Sequence, residues 1–404
     1  MEQTISYVLV TPYSIAKSRT GGVLARLLSR LDLELVGAQI FAMDREFAME
    51  YAEMIRKQAV KNYTAGELLA KYVEEKVGPS SGREHRSLLL IFRGTDTCRK
   101  LADICGALYP QNCELEFATG ETIRDTYADL IVDPNDENIV TYFEPAVLTA
   151  RNQESANEDL ALFAKHLKGK SNIVQNLNHK NPENLQRTLV IIKPDNWTYA
   201  SSRPGTIIDM FSRTGLRIVG IKVHRFSVAE ALDFYGPVEE MLKDRLAPVF
   251  GKKARELLEE EFDISLSQKT ELILNNSFGI EYAENQFQKI MEFMSGFKPK
   301  NCPPQFINNP GPVKCMILIY EGEDAIKKIR DVLGPTDPLK APGGTVRREF
   351  GSSVMINTAH ASDSPESYDR EKDIVRVEEN TLSDFIDNYL SIKSNNIEPD
   401  EDDS

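Results

Sequence analysis

The chain has 404 residues, 41% of them hydrophobic, and a formal net charge of −14. This length exceeds one ordinary domain of roughly 100–200 residues, so two domains are the starting expectation. The acidic balance argues against nucleic acid as a partner, because a nucleic-acid-binding protein needs a basic surface that displaces counterions from the phosphate backbone.

Cysteine usage and the apolar runs indicate a cytoplasmic protein without a membrane partner. The cysteines are odd in number and contain no CxxC pair, which fits neither a disulfide framework nor a zinc site. No apolar run approaches the roughly 18–20 residues of a membrane span, and the first residues lack a basic segment before a long apolar one. We expect the cysteines to be reduced; they are Cys98, Cys105, Cys113, Cys302 and Cys315.

The first half of the chain predicts a strand, a helix and a further strand in succession. Residues 7–10 form an apolar run that stops at Thr11 and Pro12, because proline cannot donate to a β-ladder. Residues 19–40 carry a helical pattern and then a second strand, and residues 88–94 (LLLIFRG) predict a third.

The second half repeats this order. Residues 188–192 (TLVII) stop at Lys193 and Pro194, residues 203–215 predict a helix that ends at a glycine, and residues 216–223 predict the next strand. Residues 315–322 (CMILIYEG) match the earlier LLLIFRG. Chance similarity between two α/β segments is the alternative, but the preserved order of the matches favours duplication.

This order predicts an α+β fold with two ferredoxin-like (split βαβ) domains, each an antiparallel sheet with helices on one face. We place the first domain at residues 1–160 and the second at residues 187–393. Residues 161–186, rich in Lys, Asn and Gln, are the predicted linker. Residues 394–404 are polar and acidic, and we expect them to be a disordered tail.

His360 is the histidine whose surroundings indicate reactivity. It lies among small residues in VMINTAHASDSPESYDREKDIV, residues 354–375. Ser364 can cap a helix that begins at Pro365, and Glu371 on that helix can fold back toward the ring. A histidine nucleophile needs a neutral ring with one nitrogen held by an acceptor. From spacing alone, a structural histidine near a helix start is the alternative reading.

The segment NTAHASDSPES resembles the active-site signature of nucleoside diphosphate kinases, which is Asn-x-x-His-[Gly/Ala]-Ser-Asp-Ser followed by a helix that carries a glutamate. The resemblance extends from about residue 187 to residue 377. It includes Lys193-Pro194-Asp195 and then LGPTDPLKAPGGTVRREFG, in the order of the family.

The resemblance implies that His360 is the nucleophile and becomes phosphohistidine. Glu371 and Ser362 would orient and polarise its ring, and Asn357 would contact the sugar or the ring. The chemistry suits phosphoryl transfer, in which fixed cations and donors stabilise charge spread over the phosphate oxygens. The residues that would bind the nucleotide sugar and phosphates are Lys193, Tyr235, Arg330, Thr336 and Arg347. Taken singly, each charged residue among them is better explained as a solvated surface charge; together, in this order, they indicate a site.

The base-binding residues are harder to assign. In the resembled family, an aromatic and an aliphatic residue on a helical hairpin hold the base, and Phe287 and Ile290 match these best. An insertion at about residues 248–286 widens that hairpin in this chain. At helical spacing, Phe287, Ile290 and Met294 are equally core residues.

The first domain reads as a degenerate copy. Alignment of the two halves puts Thr11 at the position of Lys193 and Leu148 at the position of His360. Leucine cannot accept a phosphate, so we expect this domain to keep the fold without the chemistry. Misalignment around Leu148 is the alternative.

We therefore expect ping-pong transfer of phosphate between nucleoside triphosphates and diphosphates, with Mg²⁺ bound to the nucleotide and no protein metal site. The first domain would stand in for a second subunit as an intramolecular pseudo-dimer, and a further homo-oligomer is possible. The alternatives are a phosphohistidine relay to a protein and a nucleotide-binding scaffold or sensor.

Overall fold

The computed structural model describes residues 3–59, 63–80, 82–108, 120–175, 177, 179 and 181–395. Cys113 lies outside these residues, and so does the predicted tail 394–404 except for its first two residues, which end the last helix. Among the described residues, no helix is both long enough and apolar enough to cross a membrane.

The elements below are those of the described residues. The strands are, in chain order, β1 (Thr4–Val10), β2 (Glu34–Ala42), β3 (Arg86–Gly94), β4 (Asp129–Asp133), β5 (Asp136–Glu144), β6 (Val147–Leu148), β7 (Leu185–Ile192), β8 (Arg217–His224), β9 (Cys315–Glu323) and β10 (Ala359–Ala361). The α-helices are α1 (Pro12–Ala16), α2 (Thr20–Arg30), α3 (Arg45–Gln58), α4 (Tyr63–Tyr72), α5 (Thr97–Cys105), α6 (Ile123–Tyr127), α7 (Gln153–Leu167), α8 (Arg203–Ser212), α9 (Val228–Phe262), α10 (Gln268–Leu274), α11 (Ile280–Ser295), α12 (Ala325–Leu333), α13 (Val346–Phe350), α14 (Pro365–Ile374) and α15 (Leu382–Asn395).

Two four-stranded antiparallel sheets with the same strand order form the frame of the molecule. The first sheet runs β2-β3-β1-β6, and the second runs β8-β9-β7-β10. Both orders are those of a split βαβ sheet, which confirms the predicted ferredoxin-like α+β fold class. Even the irregularities agree, because the register shifts between Leu35 and Gly37 in the first sheet and between Ile218 and Gly220 in the second.

Helices cover both faces of each sheet, so the prediction of helices on one face was wrong. In β7, Val190 and Ile192 face one core, whereas Leu189 and Ile191 face another. The physical reason is visible in TLVII, because a strand that is buried on both faces is apolar at consecutive positions and does not alternate with polar residues.

The two halves share a hydrophobic core through α2 and α8. Val23 and Leu24 of α2 belong to the same buried cluster as Ile207 and Phe211 of α8. The helix backbones touch at two glycines, since a Cβ atom on Gly21 would lie 2.6 Å from the carbonyl oxygen of Gly205. The halves are therefore docked through backbone contact as well as apolar side chains.

Two segments cross between the halves. The predicted linker begins inside α7, because Phe163 and Leu167 extend that helix along the core of the first half. The Asn172 side chain donates to the carbonyls of Ile221 (3.2 Å) and Val377 (3.1 Å) in the second half. In the opposite direction, α15 returns to pack on α7 and the first sheet. The predicted second domain, 187–393, thus contains a helix that belongs to the core of the first half.

The predicted insertion, residues 248–286, forms most of a long helical hairpin. Its arms are α9 and α11, joined by α10 and a five-residue π-helical turn at residues 275–279. The base of this hairpin packs over the second sheet, where Phe234 of α9 and Phe287 of α11 share a core with Leu189.

Candidate active site

His360 occupies the middle of the edge strand β10. It pairs with Ile191 of β7, two residues before Lys193. Thr358 has a left-handed backbone (φ 75°) and its carbonyl accepts from Lys193 N (2.9 Å) and Asn196 Nδ2 (2.8 Å). These bonds hold the start of β10 against the end of β7, so His360 and Lys193 come to one side of the sheet.

A buried carboxylate holds the His360 ring. Glu371 is 3% exposed, and its Oε1 lies 2.9 Å from His360 Nε2. Its other oxygen, Oε2, accepts from Ser362 Oγ at 2.7 Å. Because an ionised carboxylate only accepts hydrogen bonds, Nε2 carries the ring proton and Nδ1 keeps a free lone pair.

The helix that positions Glu371 begins as the sequence predicts. Ser364 caps α14 by accepting from the backbone N–H of Ser367 at 3.1 Å, and Pro365 follows it. Two turns later Glu371 faces the sheet and not the solvent. The His360 side chain itself is 24% exposed, so the ring is held from behind and open on one side.

Two aromatic rings at the start of α9 stand beside the imidazole. Phe234 meets it edge-on with ring centroids 5.3 Å apart, and Tyr235 does so at 6.4 Å. Burial raises the pKa of Tyr235, and its hydroxyl has no hydrogen-bond partner among the described residues. Sequence reasoning selected Tyr235 and missed Phe234, whose only signal was its position one residue earlier.

Lys193 is buried, and its Nζ donates to Asn357 Oδ1 at 2.7 Å. Burial, with the Arg347 charge, lowers the pKa of Lys193 to about 7, against the opposing effect of Asp195. The Asn357 amide nitrogen donates to the carbonyl of Val354 at 2.7 Å, which fixes its orientation. The ammonium group is therefore held in place, and its charge is poorly stabilised by the protein alone.

Arg347 supports the structure of the site in addition to being a candidate phosphate-binding residue. Its two terminal nitrogens donate to the carbonyls of Gly334 (2.9 Å) and Ala359 (3.0 Å), which ties β10 to the loop after α12. Burial, followed by the nearby charge of Arg330, lowers the pKa of Arg347 to about 10. Its Nε has no partner among the described residues.

Arg330 and Thr336 lie at the exposed side of the site. Arg330, near the end of α12, is close enough to lower the pKa of both Arg347 and Asp363. The carbonyl of Thr336 accepts from Asn357 Nδ2 at 3.4 Å. Sequence reasoning missed Arg370, which lies 3.8 Å from Glu371 Oε1 and stacks its guanidinium over Phe234.

The structure does not bring Phe287 to the site surface. Phe287 is 2% exposed and packs with Met291 and Met294 in the core of the second half. Ile290 is partly buried against the same core. The helical spacing of Phe287 and Ile290 points this face of α11 toward the sheet. Phe287 is therefore a core residue, which was the alternative to base stacking, and another side chain is required to stack on the base.

Replacing Lys193 with Met is expected to stabilise the folded chain by about 2 kcal/mol at pH 7. Lowering the Lys193 pKa from 10.5 to about 7 costs the folded state on the order of 4 kcal/mol at neutral pH. In the variant, Asn357 Oδ1 loses its hydrogen-bond donor, and this loss offsets about 1–3 kcal/mol of the stability gained by removing the buried charge.

The pH dependence provides the check. Between pH 7 and 10.5 the unfolded chain binds the Lys193 proton and the folded chain does not, so wild-type stability rises with pH across that window. Lys193→Met lacks this rise. Urea unfolding at pH 7 and pH 10 should show the advantage of the variant shrinking; a variant that is less stable at pH 7 would contradict the burial argument.

The first sheet repeats this geometry without the histidine. Leu148 of β6 pairs with Leu9 of β1, two residues before Thr11, as His360 pairs with Ile191 before Lys193. Ala146 has a left-handed backbone (φ 62°), as does its counterpart Thr358 (φ 75°). The pairing register therefore agrees with the alignment of Leu148 and His360 and argues against a misalignment.

The fold and the site define a ferredoxin-like α+β protein with a carboxylate-held histidine beside buried cations. The sequence model of the nucleoside diphosphate kinase family matches residues 266–380. A nucleoside diphosphate kinase of Burkholderia thailandensis is 33% identical over 184 residues, which cover 45% of this chain and 86% of that protein. One of Halorhodospira halophila is 29% identical over 187 residues, covering 46% of this chain and 89% of that protein.

Among solved structures, the Aquifex aeolicus nucleoside diphosphate kinase is 26% identical, with a TM-score of 0.29, and the match covers 49% of this chain and 98% of that one. The sequence relationship, over most of the length of the relatives, is what decides the assignment. This chain belongs to the nucleoside diphosphate kinase family.

Proposed function

We propose that the chain transfers the terminal phosphate of a nucleoside triphosphate to a nucleoside diphosphate through a phosphohistidine at His360. The observation that carries this proposal is the pair formed by His360 Nε2 and the buried Glu371. It leaves Nδ1 as the nucleophilic nitrogen of a ring that is partly exposed and lies beside Phe234 and Tyr235.

In the first half-reaction, the Nδ1 lone pair of His360 forms a bond to the γ-phosphorus. The bond from that phosphorus to the β,γ-bridging oxygen breaks, and its electron pair leaves with the nucleoside diphosphate. The ring becomes cationic and the Glu371 carboxylate stabilises it. A second diphosphate then attacks the phosphohistidine, and the same bonds form and break in reverse, so one site serves donor and acceptor in turn.

The cations around the site are placed to stabilise this transfer. Lys193 is only partly protonated at pH 7, so a bound phosphate would stabilise its charged form and nucleotide binding would take up a proton. Arg330 faces the open side, and the Arg347 Nε is buried with no hydrogen-bond partner in the part of the chain that the structure describes. Asn357, Thr336 and the Tyr235 hydroxyl supply polar groups nearby.

Magnesium would enter as an ion bound to the nucleotide phosphates, where it neutralises part of their charge. Asp363 is the carboxylate that fits a contact with such an ion, since it is exposed beside Arg330 and its pKa is lowered, first by the hydrogen bond from Ser367. In the described part of the chain, no group of three or more His, Cys, Asp or Glu side chains could hold a metal ion.

The first half, in this proposal, is a duplicated kinase domain that has lost the nucleophile. Leu148 stands where His360 stands in the second sheet, and Thr11 stands in place of Lys193. It contributes the partner surface against which α8 packs, as a second subunit would.

Incubation with a triphosphate labelled at the γ-phosphate tests the proposal. We expect one labelled phosphate per chain, lost in acid and retained in base, as for phosphohistidine. Addition of an unlabelled nucleoside diphosphate should then discharge the label into a free triphosphate. A label that is acid-stable, or one that no free diphosphate removes, would exclude this mechanism, and the second result would favour a relay to a protein.

Arg330→Ala and Arg347→Ala should each slow transfer by about a hundredfold or more, because each removes charge stabilisation worth a few kcal/mol in the transition state. The structure separates their effects on stability. Arg330 is exposed, so Arg330→Ala should unfold like wild type. Arg347→Ala leaves the buried Ala359 carbonyl and the partly buried Gly334 carbonyl without their donor, so it should also lower the free energy of unfolding. Steady-state rates and urea unfolding of both variants check this; an unchanged rate would assign that arginine a structural role only.

A further inference from the structure

The first half contains a pocket at the position where the second half has the residues that are proposed to bind the nucleotide phosphates. Arg124 donates to the carbonyls of Gly106 and Val147, as Arg347 donates to those of Gly334 and Ala359. Both arginines keep a buried Nε without a partner among the described residues. Arg124 therefore presents the same nitrogen in the same setting as Arg347.

The neighbouring helices give the remaining correspondences. Asp96 and Asp324 precede α5 and α12 with left-handed φ of 58° and 54°, and Gly106 and Gly334 follow these helices with φ of 85° and 83°. Counting from the glycines places Ala102 at the position of Arg330 and Leu108 at that of Thr336. The exposed cation and the polar side chain of the second half are thus absent here.

The pocket nevertheless has a second cation, at another position. Counting from Leu148 and His360, Arg151 corresponds to Asp363, and it lines the same pocket as Arg124. The pocket has a volume of about 590 Å³, within the range of small-molecule sites. Its lining combines these arginines with Thr122, Thr149 and the apolar Ala102 and Leu108.

The two arginines have no acidic partner among the residues that the structure describes. Arg124 is 7% exposed, and its pKa is lowered by burial, with the Arg151 charge contributing. Neither forms an ion pair with a carboxylate of the described residues. Asp103 at the pocket rim pairs with Arg99 at 3.4 Å. In a chain with 62 acidic and 48 basic residues, two neighbouring arginines that no carboxylate of the described residues pairs with mark a site for an external anion.

We infer that this pocket binds the polyphosphate group of a nucleotide and does not transfer it. The guanidinium groups of Arg124 and Arg151 hold the phosphates, since arginine donors suit phosphate oxygens. Leu148 stands at the register position of His360 and cannot accept a phosphoryl group. The site lies in the half that does not contain His360. Nucleotide can therefore bind there independently of phosphate transfer at His360.

Calorimetric titration of the full chain with ADP tests this inference. We expect two sites per chain. Arg151→Ala should weaken one site at least tenfold, Arg151→Lys should recover part of that loss, and Arg330→Ala should weaken the other site. Arg45→Ala, an exposed arginine of α3 outside the pocket, is the matched control and should change neither site. Arg124 is left intact because its bonds to Gly106 and Val147 support the fold.

A single ADP site in the wild-type chain, or two sites that Arg151→Ala leaves unchanged, would overturn the inference. Inorganic pyrophosphate provides the second arm. Its competition with ADP at the Arg151-dependent site supports recognition through the phosphates, whether the natural ligand is a nucleotide or a free polyphosphate. ADP binding there that excess pyrophosphate does not reduce would refute phosphate recognition. The labelling of His360 is a separate readout, so failure of one proposal is distinguishable from failure of the other.

Discussion

His360→Ala and His360→Gln are expected to lower phosphate transfer between nucleotides by several orders of magnitude and to abolish the acid-labile label. Both variants remove the only side chain on β10 that can accept a phosphoryl group. His360 is partly exposed, and its ring is bonded to Glu371 but does not fill the main cores. Folding should therefore survive, although Glu371 loses one of its two donors.

His85→Gln serves as the matched control, because His85 is a partly buried histidine that bonds to Ser80 in the first half. It should retain full activity and labelling. Thermal unfolding of the three variants separates loss of chemistry from loss of structure. Turnover in His360→Ala at more than about a thousandth of the wild-type rate would mean that another group carries the phosphate.

Separation of the halves should have the second large effect. A fragment of residues 181–395 keeps every proposed catalytic residue but exposes Ile207, Ile208 and Phe211, which the first half covers in the full chain. The fragment also leaves α15 without the surface on which it packs, because Leu382 and Ile386 belong to the core of the first half. We expect the fragment to self-associate or aggregate, because an exposed apolar patch of this kind promotes association, and to lose activity.

Gly205→Val tests the same interface in the full-length chain. A Cβ atom at position 205 would collide with the backbone of Gly21 and Ala25, which cannot move aside like a side chain. The helices must separate, at a cost of about 3 kcal/mol or more in the free energy of unfolding. Gly236→Ala is the control, because a Cβ there meets no atom within 4 Å and alanine favours the helix.

Urea unfolding measures these changes, and analytical ultracentrifugation measures the state of the fragment. A monomeric, fully active fragment would show that the first half does not substitute for a second subunit. A Gly205→Val variant as stable as wild type would show that the contact between α2 and α8 contributes little to the docking of the halves.

The local features of the site were accessible from sequence because they depend on short spacings. One helix contains the main features: Ser364 caps it, Pro365 begins it, and Glu371 follows two turns later. The geometry of this single helix therefore places the Glu371 carboxylate beside His360. The strand order was accessible because each apolar run is short and bounded by proline, glycine or polar residues. The mismatch at Leu148 followed from the alignment of the two halves alone.

Other features depend on which surfaces meet in three dimensions. Phe287 has helical spacing that fits a base-stacking residue or a core residue equally well, and only the packing of α11 on the second sheet selects the core. The return of α15 to the first half leaves no local pattern either. The apolar residues of α15 need a surface to pack against. Sequence position alone assigned this helix to the second domain, whereas it packs on the first half.

The sequence by itself thus determined the fold class, the duplicated strand order and the pairing of His360 with a glutamate on the helix that follows, because these depend on residue type and short-range spacing. The tertiary structure alone decided which charges are buried. Lys193 and Arg347 read as ordinary surface cations in the sequence, yet packing removes them from water and lowers the pKa of both. Burial depends on how distant segments of the chain pack together, and no local pattern specifies it.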